Sequence, residues 1–181
     1  MGNRAGTGGR RNRRDAAASF QQPVTINFQE AYQGAVRMIQ IGDRRLEVKI
    51  PAGARTGTRV RVPGAVPGQG DGQKGDLYLV ITVNEDSRFE RNEDDLNIEI
   101  LIDLYTAVLG GQANIPTPVG EVLLTIPAGT QHGQTFRLTG RGMPRLKAPQ
   151  TFGDLYARVK VQIPRQLSAQ QRDLFEQLRR S

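Results

Sequence analysis

The sequence contains no cysteine, no tryptophan and a single histidine among its 181 residues. The absence of cysteine excludes disulfides and thiolate metal sites, and with them a secreted disulfide-bonded scaffold. The one histidine, His132, has no second imidazole with which to form a metal site, and no serine lies in the turn that activates a nucleophile. We therefore expect no catalytic residue, no metal ion and no cofactor, and we predict that the protein is not an enzyme.

Long hydrophobic runs are also missing. The longest apolar stretches, such as LNIEILIDL from Leu96, are short and interrupted by charged residues. A membrane-spanning helix needs about 20 apolar residues, and the N-terminus lacks the apolar segment of a signal peptide. The sequence thus predicts a cytoplasmic protein without a membrane partner.

Residues that form turns are abundant. The chain has 21 glycines and 10 prolines, whereas aromatic residues make up only 6%. Turns at this frequency are typical of a chain of many short strands, so the composition favours the all-β class.

The positive charge is concentrated near the N-terminus. Residues 1–22 hold five arginines and one aspartate, which is four of the seven net positive charges. This Gly- and Arg-rich segment has few apolar residues and is predicted to be a disordered linker. A second interpretation is that its arginines contact the phosphates of DNA without a fixed structure. The residues in question are Arg10, Arg11, Arg13 and Arg14.

The segment IPAG occurs twice, at residues 50–53 and 126–129. The same offset of 76 residues relates Gly57 to Gly133 and Arg61 to Arg137, whereas the two copies of GDLY are 78 residues apart. A small insertion in the second copy explains the difference. Only two copies with so long a period indicate a duplicated domain, because solenoid repeats are shorter and more numerous.

Each copy contains the same predicted elements. An alternating strand leads into one helical turn, which Asn27 or Asp103 caps. Gly34 or Gly110 then ends the turn with a left-handed residue. A hairpin follows in the first copy, IPAG ends a strand, and GDLY forms a turn into the last strand. We interpret IPAG and GDLY as structural motifs rather than catalytic ones.

The motifs AYQG, IPAG, GDLYLVITV, FERNEDDL, AVLGG and GDLYARVKV follow one another in this order after Val24. In this arrangement the chain resembles the C-terminal, substrate-binding half of DnaJ-type J-domain co-chaperones. The resemblance implies an all-β fold of two tandem, duplicated β-sandwich-like domains with short helical turns, at residues 23–98 and 99–165. A C-terminal dimerisation helix would follow at residues 166–181.

The resemblance also implies a function. Proteins of this family bind unfolded or extended hydrophobic polypeptide segments and present them to a DnaK-type ATPase chaperone. The expected partners of this chain are therefore unfolded client polypeptides, the DnaK-type chaperone and a second copy of itself. The alternative is a DNA-binding module that uses the basic tail, and salt distinguishes the two, because phosphate binding weakens steeply as salt rises.

The chain departs from the family in two respects. It lacks the His-Pro-Asp motif of the J domain, so we expect no J-domain activity from it. It also lacks the cysteine repeats of the zinc-bearing branch, so it is more similar to the zinc-free branch, which includes the curved-DNA-binding co-chaperone.

Alignment with the family predicts where a client peptide binds. The implied groove contains Val24, Ile26, Ile39, Ile41 and Phe89, with Arg37 at its rim. The strand residues alternate, which brings them to one face of each strand. An extended client would add a strand to a free sheet edge there. The same residues could equally be ordinary core residues, and Arg37 could also bind the acidic tail of the partner chaperone.

The C-terminus has the features of a helix. Ser168 is a suitable N-cap, and Arg179 and Arg180 complement the negative end of a helix dipole, which predicts a helix over 169–180. Its apolar residues form a narrow stripe that needs a partner. That partner is either the second domain or, as the family implies, the same helix of a second copy. The stripe consists of Leu167, Leu174, Phe175 and Leu178.

Overall fold

A computed structural model describes residues 20–67 and 74–181, and this part of the chain is rich in strands. The all-β prediction is confirmed. In chain order the elements are β1 (Phe20–Ile26), α1 (Phe28–Gln33), β2 (Ala35–Ile41), β3 (Arg44–Ile50), β4 (Arg59–Pro67), β5 (Lys74–Val83), β6 (Glu90–Asn92), β7 (Asp95–Asp103), α2 (Leu104–Leu109), β8 (Gly111–Thr117), β9 (Gly120–Ile126), β10 (Thr135–Leu138), β11 (Pro144–Arg145), β12 (Ala148–Phe152), β13 (Leu155–Gln162) and α3 (Ala169–Arg180).

The sheets repeat the duplication seen in the sequence. In the first copy β1, β5 and β4 form one sheet in that order, with β1 parallel to β5, and β2 pairs with β3 in an antiparallel hairpin. In the second copy β10, β13, β7 and β6 form a sheet in which β7 is parallel to β13, and β8 pairs with β9. Each copy therefore joins a small sheet with a parallel pair to a separate hairpin.

Capping residues set the bounds of the short helices. The Asn27 side chain accepts a hydrogen bond from the Glu30 N–H at 2.8 Å, and the Glu30 carboxylate accepts one from the Asn27 N–H at 2.9 Å. Gly34 ends α1 with φ 79° and ψ 162°. The positive φ was expected, but ψ is extended rather than left-handed helical, a region that essentially only glycine occupies. A β-carbon at Gly34 would also lie 3.0 Å from the Ile50 carbonyl oxygen.

The aspartate of each GDLY motif holds the strand before it. Asp76 accepts hydrogen bonds from the Arg61 side chain at 2.7 Å and from the Gly64 N–H at 3.1 Å. Asp154 makes the equivalent bonds in the second copy, to Arg137 and Gly140. The pKa of the Asp76 carboxyl is lowered, mainly by the hydrogen bond from the Gly64 N–H and next by the one from Arg61. The GDLY motif thus has a structural role, but in the first copy Gly75 and Asp76 already belong to β5 and do not form the predicted turn before it.

The core lies beneath these sheets and extends through both copies. Its largest fully buried side chains include Ile26, Ile50, Leu79, Ile81, Leu96, Ile115, Ile126, Met143, Leu155 and Val159. Helix α3 contributes no buried residue to it. Within the described ranges, no helix has the length and apolar character needed to span a membrane.

The strand bounds bear on the predicted domain limits. β1 begins at Phe20, so residues 20–22 pair with β5, although the sequence assigned them to the linker. β7 crosses the boundary predicted between residues 98 and 99. The division into two domains stays a prediction.

The two copies meet around the first IPAG loop. The guanidinium of Arg91 donates hydrogen bonds to the carbonyls of Ala54 at 2.7 Å and Gly53 at 3.0 Å. Burial lowers its pKa. A β-carbon at Gly53 would also overlap the Pro144 carbonyl oxygen. Backbone of the second copy therefore packs directly on the IPAG loop of the first.

Candidate peptide-binding site

Both strands that carry predicted groove residues, β1 and β2, have a free edge among the described residues. β1 is the outer strand of its sheet and pairs only with β5, and β2 pairs only with β3. A free edge presents a row of unpaired N–H and C=O groups, which is the surface that an extended peptide needs in order to add a strand.

Burial alternates along both strands. On β1, Val24 is half-buried and Ile26 is buried, while Thr25 between them is exposed. On β2, Ile39 is buried and Ile41 is half-buried, while Gln40 is exposed. The predicted residues on each strand therefore face the core side, and the half-buried ones are the accessible part of that surface.

Three of the six predicted groove residues are enclosed in the core. The exposed fractions are 1% for Ile26, 7% for Ile39 and 3% for Phe89. Val24 and Ile41 pack against the same core but are only half-buried. Val24 and Ile41 are therefore the predicted apolar residues that remain accessible from outside, whereas the other three support the surface from below.

Phe89 lies in a different environment from the strand residues. Its ring stacks on that of Phe28 with centroids 5.4 Å apart, and the Arg88 guanidinium lies 5.1 Å above it. Both phenylalanines line a cleft of about 980 Å³, together with Ile98 and Tyr156 of the second copy. None of the predicted strand residues lines this cleft.

Arg37 forms an ion pair within the chain. Its guanidinium lies 2.7 Å from the Glu30 carboxylate, and both side chains are partly exposed. Glu30 is also the residue that completes the cap of α1. The Arg37 Nε is buried and has no hydrogen-bond partner. One donor of this guanidinium is therefore unpaired within the part of the chain that the structure describes.

Sequence reasoning missed two residues of this region. Leu46 on β3 lies directly opposite Ile39 and is half-buried against the core, so it adds to the apolar surface. Glu30 fixes Arg37. Counting outward from the two-residue turn at Gly42 would have placed Leu46 opposite Ile39, because turn length sets hairpin register.

The predicted dimerisation residues lie on or just before α3. The helix runs over Ala169–Arg180 with Ser168 as its N-cap, as predicted. The Phe175 ring lies 6.4 Å from that of Tyr105 on α2, so the helix contacts the second copy. Leu174 and Leu178 remain 53% and 69% exposed, and Leu167 is half-buried.

Further apolar side chains of the second copy are exposed on β7, on α2 and between β13 and α3. They are Leu101, Tyr105, Val108, Leu109 and Ile163. The predicted DNA-binding arginines, Arg10, Arg11, Arg13 and Arg14, lie outside the described residues.

This chain thus forms a duplicated, strand-rich fold with free strand edges and a C-terminal helix. The sequence model of the family described as "DnaJ C terminal domain" matches residues 20–164. The chain belongs to this family, and the resemblance predicted from its motifs is confirmed at that level.

The chain is also similar to whole proteins named "Chaperone protein DnaJ". A protein of Deinococcus proteolyticus named "Chaperone protein DnaJ" is 38% identical over 179 residues, which is 99% of this chain and 54% of the relative. Proteins of the same name from two Burkholderia pseudomallei strains are 45% identical over 139 residues, which is 76% of this chain and 37% of each relative. The chain thus spans about half the length, or less, of these relatives.

Proposed function

We propose that the protein is the substrate-binding part of a co-chaperone of the zinc-free branch. It binds unfolded or extended hydrophobic polypeptide segments in the cytoplasm and presents them to a DnaK-type ATPase chaperone, without chemistry of its own. Membership of the DnaJ C-terminal domain family and the name of the relatives support the chaperone role.

The observation that carries the proposal is the free edge of β2 beside a half-buried apolar surface. The backbone of β2 from Ala35 to Ile41 is paired on one side only among the described residues. Ile41 at the end of the strand and Leu46 on the paired strand β3 supply apolar contacts beside it. Backbone hydrogen bonds account for affinity without sequence preference, and the apolar contacts account for the selection of hydrophobic segments.

The role of Arg37 follows from its unused donor. A peptide carbonyl or carboxylate at the rim could accept a hydrogen bond from the Arg37 Nε, if the chain opens enough to expose this buried atom. An acidic peptide would compete with Glu30 for the guanidinium, because carboxylates bind guanidinium groups strongly. This competition limits affinity for the acidic tail of the partner chaperone.

A homodimer is part of the proposal. The exposed Leu174 and Leu178 lie on the same helix face, four residues apart. Burying two leucines against a second copy contributes about 1.5–3 kcal/mol each. Two joined sites would then hold one client through effective concentration rather than through additional contacts.

The test of the site uses paired substitutions on one strand. Ile41→Asp should weaken binding of a fluorescent, extended hydrophobic peptide at least tenfold, because a charge would be buried beneath the peptide. Gln40→Asp, on the exposed face of the same strand, is the matched control and should bind as the parent does. Equal binding by both variants would reject this site.

A second arm tests strand addition itself. A peptide N-methylated at alternate residues loses the N–H donors of one edge and should bind far more weakly than the same peptide methylated in the other register. If both methylated peptides bind equally well, the client does not pair with β2.

DNA binding is the second candidate, and the charge of residues 1–22 favours it. Deleting residues 1–19 should remove most affinity for duplex DNA, and the affinity of the full chain should fall steeply as salt rises. Peptide binding should survive the deletion. If DNA affinity is unchanged by the deletion, the basic residues of the tail are not the DNA-binding site.

A further inference from the structure

The imidazole of His132 holds the end of the last strand. Its Nδ1 accepts a hydrogen bond from the Val161 N–H at 3.2 Å. The backbone of the same loop pairs with β13 just before this point. The Gly133 N–H donates to the Val159 carbonyl at 2.7 Å, and the Val159 N–H donates to the Gln134 carbonyl at 2.8 Å. The His132 side chain therefore extends the ladder of β13 beyond the reach of the backbone.

The first copy has the same arrangement with a different acceptor. Thr56 Oγ1 accepts a hydrogen bond from the Val83 N–H at 2.9 Å, and the Gly57 N–H donates to the Ile81 carbonyl at 2.8 Å. Thr56 and His132 are related by the repeat offset of 76 residues. The position thus has one structural role, which a hydroxyl fulfils in one copy and an imidazole in the other.

The two acceptors respond differently to acid. A threonine hydroxyl remains an acceptor at all pH values, whereas both nitrogens of a protonated imidazole are donors. Histidine is the side chain that ordinarily changes charge in mildly acidic solution. Protonation of His132 therefore removes the acceptor of the Val161 N–H, and no such change is available at Thr56.

Charged groups lie on β13 and on the neighbouring strand β7. They are Arg158 and Lys160 of β13 and Glu99 of β7. Glu99 pairs with the Lys160 Nζ at 2.9 Å. Its carboxyl pKa is lowered mainly by that bond and to a smaller extent by Arg158 and His132.

We propose that His132 is a pH-sensitive latch on the end of β13. In its neutral form it fixes Val161, and when protonated it releases the strand end that leads through Ile163 and Pro164 to α3. The consequence for assembly rests on the proposed dimer: if α3 joins two copies, acidification loosens its attachment and weakens the dimer.

The first test compares two amides in one sample of the native chain. Hydrogen exchange measured by NMR, corrected for intrinsic rates, should show the protection of Val161 falling about fivefold between pH 8 and pH 5.5, the size expected for one hydrogen bond. Val83, which bonds to a hydroxyl, should keep its protection. Constant protection at Val161, or an equal loss at both amides, would overturn the proposal.

Reciprocal substitutions make the second test. His132→Thr should render the protection of Val161 independent of pH, because the threonine of the other copy shows that a hydroxyl can accept this bond. Thr56→His should transfer the pH dependence to Val83. If Val161 in His132→Thr still loses protection in acid, the latch does not depend on the imidazole.

Sedimentation of both chains at the two pH values separates this inference from the proposed dimer. A dimer of the parent that weakens in acid, with a pH-independent dimer of His132→Thr, supports both. A chain that is monomeric at both pH values contradicts the dimer, and the latch is then decided by the protection of Val161. A dimer that weakens equally in both chains contradicts the link between the latch and assembly.

Discussion

Phe28 and Phe89 stack in the core with ring centroids 5.4 Å apart and their planes inclined by 14°. This pair joins the segment after β1 to the segment before β6, and both side chains are buried. Such a position supports the fold, whichever surface binds a client.

We therefore expect Phe89→Ala to lower the free energy of unfolding by about 3–5 kcal/mol, as truncation of a buried phenylalanine does. Urea denaturation measures the change. Phe20→Ala, at the half-exposed start of β1, is the control and should lower the free energy of unfolding much less. A Phe89→Ala chain of parental stability that no longer binds peptide would instead place Phe89 in the client site.

The two IPAG glycines provide a matched pair. Gly53 and Gly129 have φ values of 84° and 79°, but only Gly53 lies against other backbone. The free energy of unfolding of both alanine variants should fall by about 1 kcal/mol or more, because alanine tolerates a positive φ poorly. It should fall further for Gly53→Ala, because the β-carbon would overlap the Pro144 carbonyl. Equal unfolding midpoints for the two variants would show that the backbone near Pro144 can shift to accommodate a β-carbon at little cost in stability.

Acid should destabilise the fold through the two GDLY aspartates. Hydrogen bonds from glycine N–H groups and arginine side chains lower the pKa values of Asp76 and Asp154. A carboxyl whose folded pKa lies below its unfolded value stabilises the protein above the unfolded pKa, near 4, and this contribution is lost as the pH falls through the folded pKa.

The measurement is the urea midpoint of the parent and of an Asp76→Asn, Asp154→Asn double variant between pH 7 and pH 2.5. The variant should be less stable at neutral pH, and its midpoint should fall less below pH 4. Parallel curves for the two chains would show that these carboxylates do not contribute to acid unfolding.

The exposed stripe of α3 predicts the oligomeric state. Leu178→Glu should give monomers at tens of micromolar in light scattering, because a carboxylate would be buried in the dimer contact. Ala169→Glu, on the opposite side of the helix and in its first turn, should leave the dimer intact. Cutting the chain after Pro164 should likewise give folded monomers. If the parent chain is itself monomeric at this concentration, the proposed dimer is wrong.

Much of the fold could be predicted because its signals are local. The repeat offset, the capping residues Asn27 and Asp103 and the bounds of α3 follow from residues close together in the chain. Strand faces were also predictable, since alternation is a property of one strand.

Accessibility within the candidate site could not be predicted in this way. Ile39 and Ile41 lie on the same face of β2, yet Ile39 is buried opposite Leu46, and Ile41, opposite Arg44 beside the turn, is half-buried. The depth of a side chain depends on what covers it from another element. Distant pairings, such as that of His132 with Val161, are equally invisible in a single strand pattern.

The parallel pairs β1–β5 and β7–β13 have a consequence for synthesis on the ribosome. Phe20 is opposite Leu77, and Leu96 is opposite Leu155, so the first strand of each copy pairs with a segment more than fifty residues later. Pairings of such long range form slowly, because the intervening chain must be closed into a loop first. Until β5 has left the exit tunnel, β1 has no partner strand and is itself an unpaired segment of the kind that chaperones bind, whereas β7 can already pair with β6.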